Sequence, residues 1–329
     1  MKLITEDIYM LSVPLPFPTT PEQSLYYIDG KNPVLIDTGL ATGESIRHIE
    51  KELNSINRSL SGLARIINTH EHSEHFGGNS GIRDISGARI TASSVTADII
   101  EHYSDTINSI ETGIEQSDAA PEVKKMLRRF IEFNRTVPDS PVDERVQEGS
   151  VIELDNTRFR VIHTPGHAHG HICLHEPDRK LLFSGDHIIA TGSTFVGYGW
   201  RNMASGPITD LINSKDHDAD NLSLYIDSVD KLKSLDIEMI LPGHGGPITE
   251  PEDMLDEIVL RKLYREKAFR AVLDKNRDMS LEQLIKESYG QAATSYLHYA
   301  AALGYLVRMS REGILRAEKR HGEIWLVRT

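Results

Sequence analysis

Residues 68–79 read NTHEHSEHFGGN, and from His70 to His75 they place three histidines and two glutamates in six positions. That density of ionisable groups cannot sit in a hydrocarbon interior, so the chain here must arrive at a polar hollow. His70 and His72 are two apart, so on an extended strand end they point to one side, whereas on a helix they would diverge by roughly 200°. Glu74 and His75 follow at once, where a tightening chain aims them at the opposite side of the same hollow. The helical zincin pattern requires a second histidine four positions after His70, and Glu74 stands there instead. Two metal ions are therefore easier to satisfy than one.

Further ligand types stand at the ends of separate apolar runs. PVLID (33–37) and ARIINT, which ends at Thr69, are short β-branched strands that stop at turn or ligand residues. VIELDNTRFRVIHTPGH (151–167), HICLHEPDRKLLFSGDH (171–187) and IEMILPGHGG (237–246) follow the same grammar. They contribute His167, Asp186 and His244, each beside a glycine. Taken singly, each reads as a loop or capping residue. Together with His70, His72, Glu74 and His75 they make seven N/O donors, the number two ions sharing one carboxylate require. Helical spacings of three and four over 43–56, 94–103, 122–133 and 222–235 separate the strands, which predicts α/β layers. Residues 98–143 read as a helical insertion, forming either a lid over the site or an ordinary packed pair.

After residue 250 the pattern turns to three helices and an ending, ILRAEKRHGEIWLVRT, that reads as two strands joined at His321 and Gly322. Two domains are expected, 1–250 and 251–329, the second of winged-helix shape. The chain carries a net charge of −13, yet residues 261–329 hold 14 Lys and Arg against 8 Asp and Glu, leaving the first 260 residues at −19. The basic C-terminal part could meet nucleic acid, or equally the acidic domain or a second subunit. One cysteine, Cys173, excludes an intrachain disulfide, so metal ligands must be histidines and carboxylates. No stretch of eighteen apolar residues occurs, so no membrane span and a cytoplasmic location are expected.

The ordered set THEHSEH, HTPGH, SGDH and LPGHG, preceded by VLIDTG, resembles the metallo-β-lactamase fold superfamily over roughly residues 5–250. The C-terminal part is similar to the winged-helix appendage of its lactamase-β-2-like branch. The resemblance implies a four-layer αββα sandwich with a dinuclear site at one edge. It implies that His70, His72 and His167 hold one metal and Glu74, His75 and His244 the other, with Asp186 between them. Asp37 matches a residue that supports the site without ligating. Where the family usually has aspartate this chain has Glu74, whose extra methylene adds roughly 1.5 Å of reach.

On this reading the two divalent ions are zinc first, with iron or manganese also accepted by such donors. A hydroxide held between them attacks a small-molecule thioester, ester or lactone. Glu74 and Asp186 orient it or take its proton, and Tyr198, with Tyr225 second, donates to the oxyanion. His169, His171 and His187 are read as orienting ligands through neighbouring carboxylates, and His298 as a core histidine. A metal-dependent endoribonuclease is the alternative, opposed by the acidity of residues 1–260. A non-enzymatic metal-binding sensor comes third. A homo-oligomer is expected on family grounds alone.

Overall fold

The computed structural model describes residues 1–17, 20–117, 119, 121–197, 206–276, 278–290 and 296–329. They gather into two compact units, the first made of Met1–Ser104, Thr136–Thr194 and Lys231–Met254. The second comprises Asp105–Arg135, Phe195–Asp230 and Leu255–Thr329. Among the described residues no helix is long and apolar enough to cross a membrane.

Two sheets build the first unit. One runs in sequence order through β1 (Lys2–Leu3), β2 (Ile8–Phe17), β3 (Thr20–Ile28), β4 (Val34–Ile36), β5 (Arg65–Ile67), β6 (Arg89–Ser93) and β7 (Glu144–Val146). Its first four strands pair antiparallel and β4 through β7 pair parallel. The other sheet contains β8 (Val151–Glu153), β9 (Arg158–His163), β10 (Ile172–Glu176), β11 (Leu181–Gly185) and β12 (Met239–Pro242), in the order β12-β11-β10-β9-β8.

Because side chains alternate across a strand, β3 faces two ways. Tyr26 and Ile28 join Phe159, Phe183 and Leu241 of the second sheet in a buried core, with Tyr26 edge-on to Phe183 at 5.2 Å between ring centroids. Leu25 and Tyr27 pack on the opposite face with Ile49 and Leu53 of α1 (Gly43–Asn54) and with Ile82. The long β2–β3 hairpin is not announced by the sequence, since Pro14 and Pro16 interrupt its pattern. Proline donates nothing to a ladder, and the pairing shifts register between Pro14 and Phe17, which tolerates both rings.

Short helices follow the parallel strands: α2 (Ser73–Phe76), α3 (Asn79–Ser86) and α4 (Ser94–Ile100). Residues 98–143 contain α5 (Tyr103–Gln116) and α6 (Pro121–Asn134), and Asp105–Arg135 falls in the second unit. Further helices among the described residues are α7 (Ile208–Ile212), α8 (Asn221–Lys233), α9 (Pro251–Lys275), α10 (Leu281–Tyr289) and α11 (Tyr296–Arg311).

A three-stranded sheet closes the second unit, ordered β13 (Asp278–Ser280), β15 (Glu323–Arg328), β14 (Leu315–Arg320). Its hairpin turns at His321 and Gly322, with φ of 50° and 87°, the left-handed pair a two-residue type I′ turn demands. Much of the unit's positive charge is engaged internally. Arg270 pairs with Glu266 and Glu312, Arg311 with Asp220, and Arg320 with Asp278 and Glu318. His298 is half-buried with its ring 4.8 Å from that of Tyr289. Tyr225 on α8 is fully buried, with Lys262 Nζ 5.6 Å from its ring centroid.

Lys262 is itself buried on α9, and that burial, aided by Arg265 and Arg261, lowers its pKa from 10.5 to about 8. Between those values the unfolded chain binds the proton and the folded chain does not, so stability rises as pH climbs from 8 to 10.5. Below pH 8 the cost of charging the ammonium is fully in place. Lys262→Met is therefore expected to raise the urea midpoint at pH 7 and to flatten the rise above pH 8. A lowered midpoint at pH 7 would contradict it.

Candidate metal centre

Asp37 leaves β4 with φ of 62°, a left-handed conformation that costs a residue with a Cβ roughly 1–2 kcal/mol. Its surroundings hold it there. Its N–H donates to Ile67 O at 2.9 Å, while Oδ1 accepts from Thr69 N and Oδ2 from Thr69 Oγ1, both at 2.8 Å. Oδ2 also accepts from His75 Nδ1 at 2.8 Å. Having given its proton to Asp37, the Thr69 hydroxyl can only accept from His70 Nδ1, 3.0 Å away. Both histidines thus carry a proton on Nδ1 and turn Nε2 toward the other donors. His70 Nε2 is fully buried yet has no hydrogen-bond partner among the described residues. An orphaned acceptor of this kind, in a cluster of histidines and carboxylates, fits a site for a divalent cation.

The seven expected donors converge. His70, His72, His167 and Asp186 each offer an atom within 4.8 Å of the others, and so do Glu74, His75, Asp186 and His244. His72 Nδ1 and His167 Nε2 face each other at 3.1 Å. Asp186, following β11, stands between the groups: Oδ1 is 3.3 Å from His75 Nε2, and Oδ2 is 3.4 Å from His244 Nε2 and 3.6 Å from His167 Nε2. His244 follows β12 and donates Nδ1–H to the Glu22 carbonyl at 2.8 Å, which turns its Nε2 inward. Glu74 lies on α2, half-buried, with its carboxylate in the second group.

Burial and charge oppose one another at these groups. Burial holds His70 well below the usual imidazole range, and the neighbouring His75 and His72 push it the same way. Burial would also depress His75, but the Asp186 and Asp37 carboxylates outweigh it and raise its pKa. Burial would raise Asp186, yet His244 and His75 keep it well below the carboxylate range. The second group thus favours a carboxylate among protonatable imidazoles, and the first favours neutral histidine, which is the ligating form.

Two asparagines at the ends of the histidine segment were invisible as site residues in the sequence. Asn68 donates to the His75 carbonyl at 3.1 Å, and Asn79 donates back to Asn68 Oδ1 at 2.8 Å and to Ser140 Oγ at 3.0 Å. Thr38 N donates to the same His75 carbonyl at 2.9 Å, so the turn carrying Glu74 and His75 is anchored through its backbone. Their position flanking the cluster was the available signal, but asparagine in a loop is common enough to hide it. Glycines make the close approaches: a Cβ on Gly78 would lie 2.3 Å from Thr38 O, and one on Gly243 would lie 2.5 Å from Asp186 Oδ1.

His171 orients the site, but not through a carboxylate as the sequence suggested. Its Nε2 accepts the backbone N–H of Asp186 at 3.2 Å, and its Nδ1 lies 2.8 Å from Thr164 Oγ1. An accepting Nε2 leaves the proton on Nδ1, which donates to Thr164, whose hydroxyl in turn lies 3.4 Å from Cys173 Sγ. His169 offers its carbonyl to His163 Nε2 at 2.8 Å, and His187 is fully buried with its ring 5.7 Å from that of His171. Tyr198 lies outside the described residues. Tyr225 is fully buried on α8.

Replacing Asp37→Ala removes the acceptor for a buried backbone amide, a hydroxyl and an imidazole at once. Each buried donor left unpaired costs about 1–3 kcal/mol. Metal-free protein carrying the change is expected to lose at least that much in urea unfolding at pH 7. An unchanged midpoint would show that the network does not hold the turn.

The profile of the Metallo-beta-lactamase superfamily matches residues 19–244. A curated relative from Bacillus subtilis (strain 168), named "Probable metallo-hydrolase YqjP", is 28% identical over 295 residues, covering 83% of this chain and 82% of its own. "Atrochrysone carboxyl ACP thioesterase" of Emericella nidulans is 22% identical over 251 residues, covering 76% of this chain, which spans 60% of that protein. A crystal structure of a metallo-beta-lactamase family protein from Thermus thermophilus superposes with a TM-score of 0.77 at 21% identity, covering 99% of this chain and 100% of that one, which speaks for the fold. The chain belongs to the Metallo-beta-lactamase superfamily.

Proposed function

We propose that this chain, a metal-dependent hydrolase, cleaves a thioester, ester or lactone of a small molecule, with thioesters first. The observation that carries the reading is the pair of donor groups meeting at one buried carboxylate, Asp186. His70, His72 and His167 would hold one divalent ion and Glu74, His75 and His244 the other, with Asp186 shared. Zinc is the first candidate, and the same donors accept iron or manganese. Ions so held lower the pKa of bound water from about 15.7 to about 7 and polarise a carbonyl.

The protein's own part is positioning and proton handling. Asp37 and Glu22 O fix which ring nitrogens face the hollow, and His171 holds the backbone of Asp186. Glu74 is the less buried of the two carboxylates, so it is the better placed to exchange a proton with solvent. The thioesterase named among the relatives supports the thioester as first substrate class. We read residues 251–329 as a winged-helix-like part; the pairing of Arg270, Arg311 and Arg320 with carboxylates of their own unit argues against a phosphate-binding surface there.

Zinc-loaded protein should hydrolyse an acyl-CoA thioester or a lactone, lose that activity with EDTA and regain it on zinc addition. RNA cleavage without thioester, ester or lactone turnover would sink the proposal in favour of a nuclease. Unfolding on chelation, with no turnover of any substrate before it, would favour a structural metal. Glu74→Asp is expected to leave the first ion bound, measured as metal retained per chain after dialysis. Loss of both ions would show that the division into two groups is wrong.

A further inference from the structure

Tyr103 is the first residue of α5, at the point where the chain leaves the first compact unit. Its side chain is fully buried. Its ring stands edge-on to Phe76, the last residue of α2, with centroids 4.8 Å apart and planes at 70°. Its hydroxyl shares a hydrogen bond with the side chain of Ser73, the first residue of α2. One tyrosine therefore grips both ends of the single helical turn on which Glu74 and His75 ride.

Ser73 Oγ donates toward Glu74 Oε2 across 3.5 Å, and a serine hydroxyl has only one proton to give. Ser73 Oγ thus stands between the Tyr103 phenol and the Glu74 carboxylate. Burial first, and then the Glu74 charge, raise the phenol's pKa, so it stays protonated and able to donate at neutral pH.

A four-residue helix cannot hold itself in water, and its side chains take their orientation from what packs against it. Glutamate also has one more rotatable bond than aspartate, so fixing its carboxylate costs more conformational entropy. A device that limits this freedom is therefore more consequential here than an aspartate would require. Taking the two-ion reading of the site as its basis, we infer that Tyr103 is a positioning residue for Glu74, acting through Ser73, and that this relay sets how tightly the second donor group holds its ion.

The test is a titration of metal-free protein with zinc against a competing chromophoric chelator, resolving successive binding events, together with the visible spectrum of the cobalt-substituted form. Tyr103→Phe keeps the ring on Phe76 and removes only the hydroxyl; Ser73→Ala removes the middle of the relay. Each should leave the first event unchanged and weaken the second by about 10- to 100-fold, the usual effect of losing a hydrogen bond to a metal ligand. The double variant should be no weaker than either single one, since the groups act in series. An unchanged second event in Tyr103→Phe would overturn the inference. So would equal weakening of both events, which is what general loosening of the fold produces. A single binding event in the unaltered protein would instead overturn the two-ion reading, and the inference with it.

Discussion

The site hangs on the carboxylate of Asp37. It receives Thr69 through backbone and hydroxyl and His75 through Nδ1, and by taking the Thr69 proton it dictates that His70 donates rather than accepts. One side chain thus fixes the tautomer of a histidine in each donor group. That arrangement requires the left-handed backbone at Asp37, because a residue in ordinary strand conformation would continue β4 instead of turning its carboxylate along β5. The strain at one position is offset by several buried hydrogen bonds, each worth about 1 kcal/mol or more.

The second sheet supplies what the first cannot. Asp186 and His244 arrive at the ends of the parallel neighbours β11 and β12, and His167 from the loop between β9 and β10, so three donors come from one sheet and four from the other side. Strands that end together bring their following residues together, which is why the convergence survives a separation of well over a hundred residues. The clamp between sheets is direct. Ser24 N donates to Gly243 O at 2.8 Å, Tyr26 donates its hydroxyl to Pro242 O at 2.8 Å, and the Glu22 carbonyl takes the His244 proton. The β2–β3 hairpin, unremarked in the sequence because of its prolines, is therefore the element that aims His244.

Asp186 shows why such a cluster is costly without a cation. The buried Asp186 carboxylate is held ionised by His244 and His75, whereas His70 and His171, buried among other histidines, are pressed toward neutrality. Burial and like-charge proximity pull in one direction on the first group, and the two carboxylates pull in the other on His75. A divalent ion satisfies both demands, since it accepts neutral imidazole lone pairs and neutralises carboxylates at the same time.

The order of ligand-bearing motifs was legible in the sequence because His70, His167, Asp186 and His244 each stand within a few residues of the end of a short apolar run, and the strand-helix alternation predicted the layers. The seven donors and the hairpin turn at His321 and Gly322 could be named from residue type and spacing alone. Other supporting residues could not: Asn68, Asn79, Thr164 and Tyr103 have ordinary identities, and their roles arise from contacts the fold makes. Nor did linear order foretell that Asp105–Arg135 would gather with residues after 255, because a helix's apolar stripe states that it packs but not on what. The sequence by itself determined which atoms could bind a metal, since that is a property of side-chain chemistry. Only the tertiary structure decided which nitrogen each histidine presents and which groups share Asp186, because proton placement and distance are set by neighbours the fold brings in.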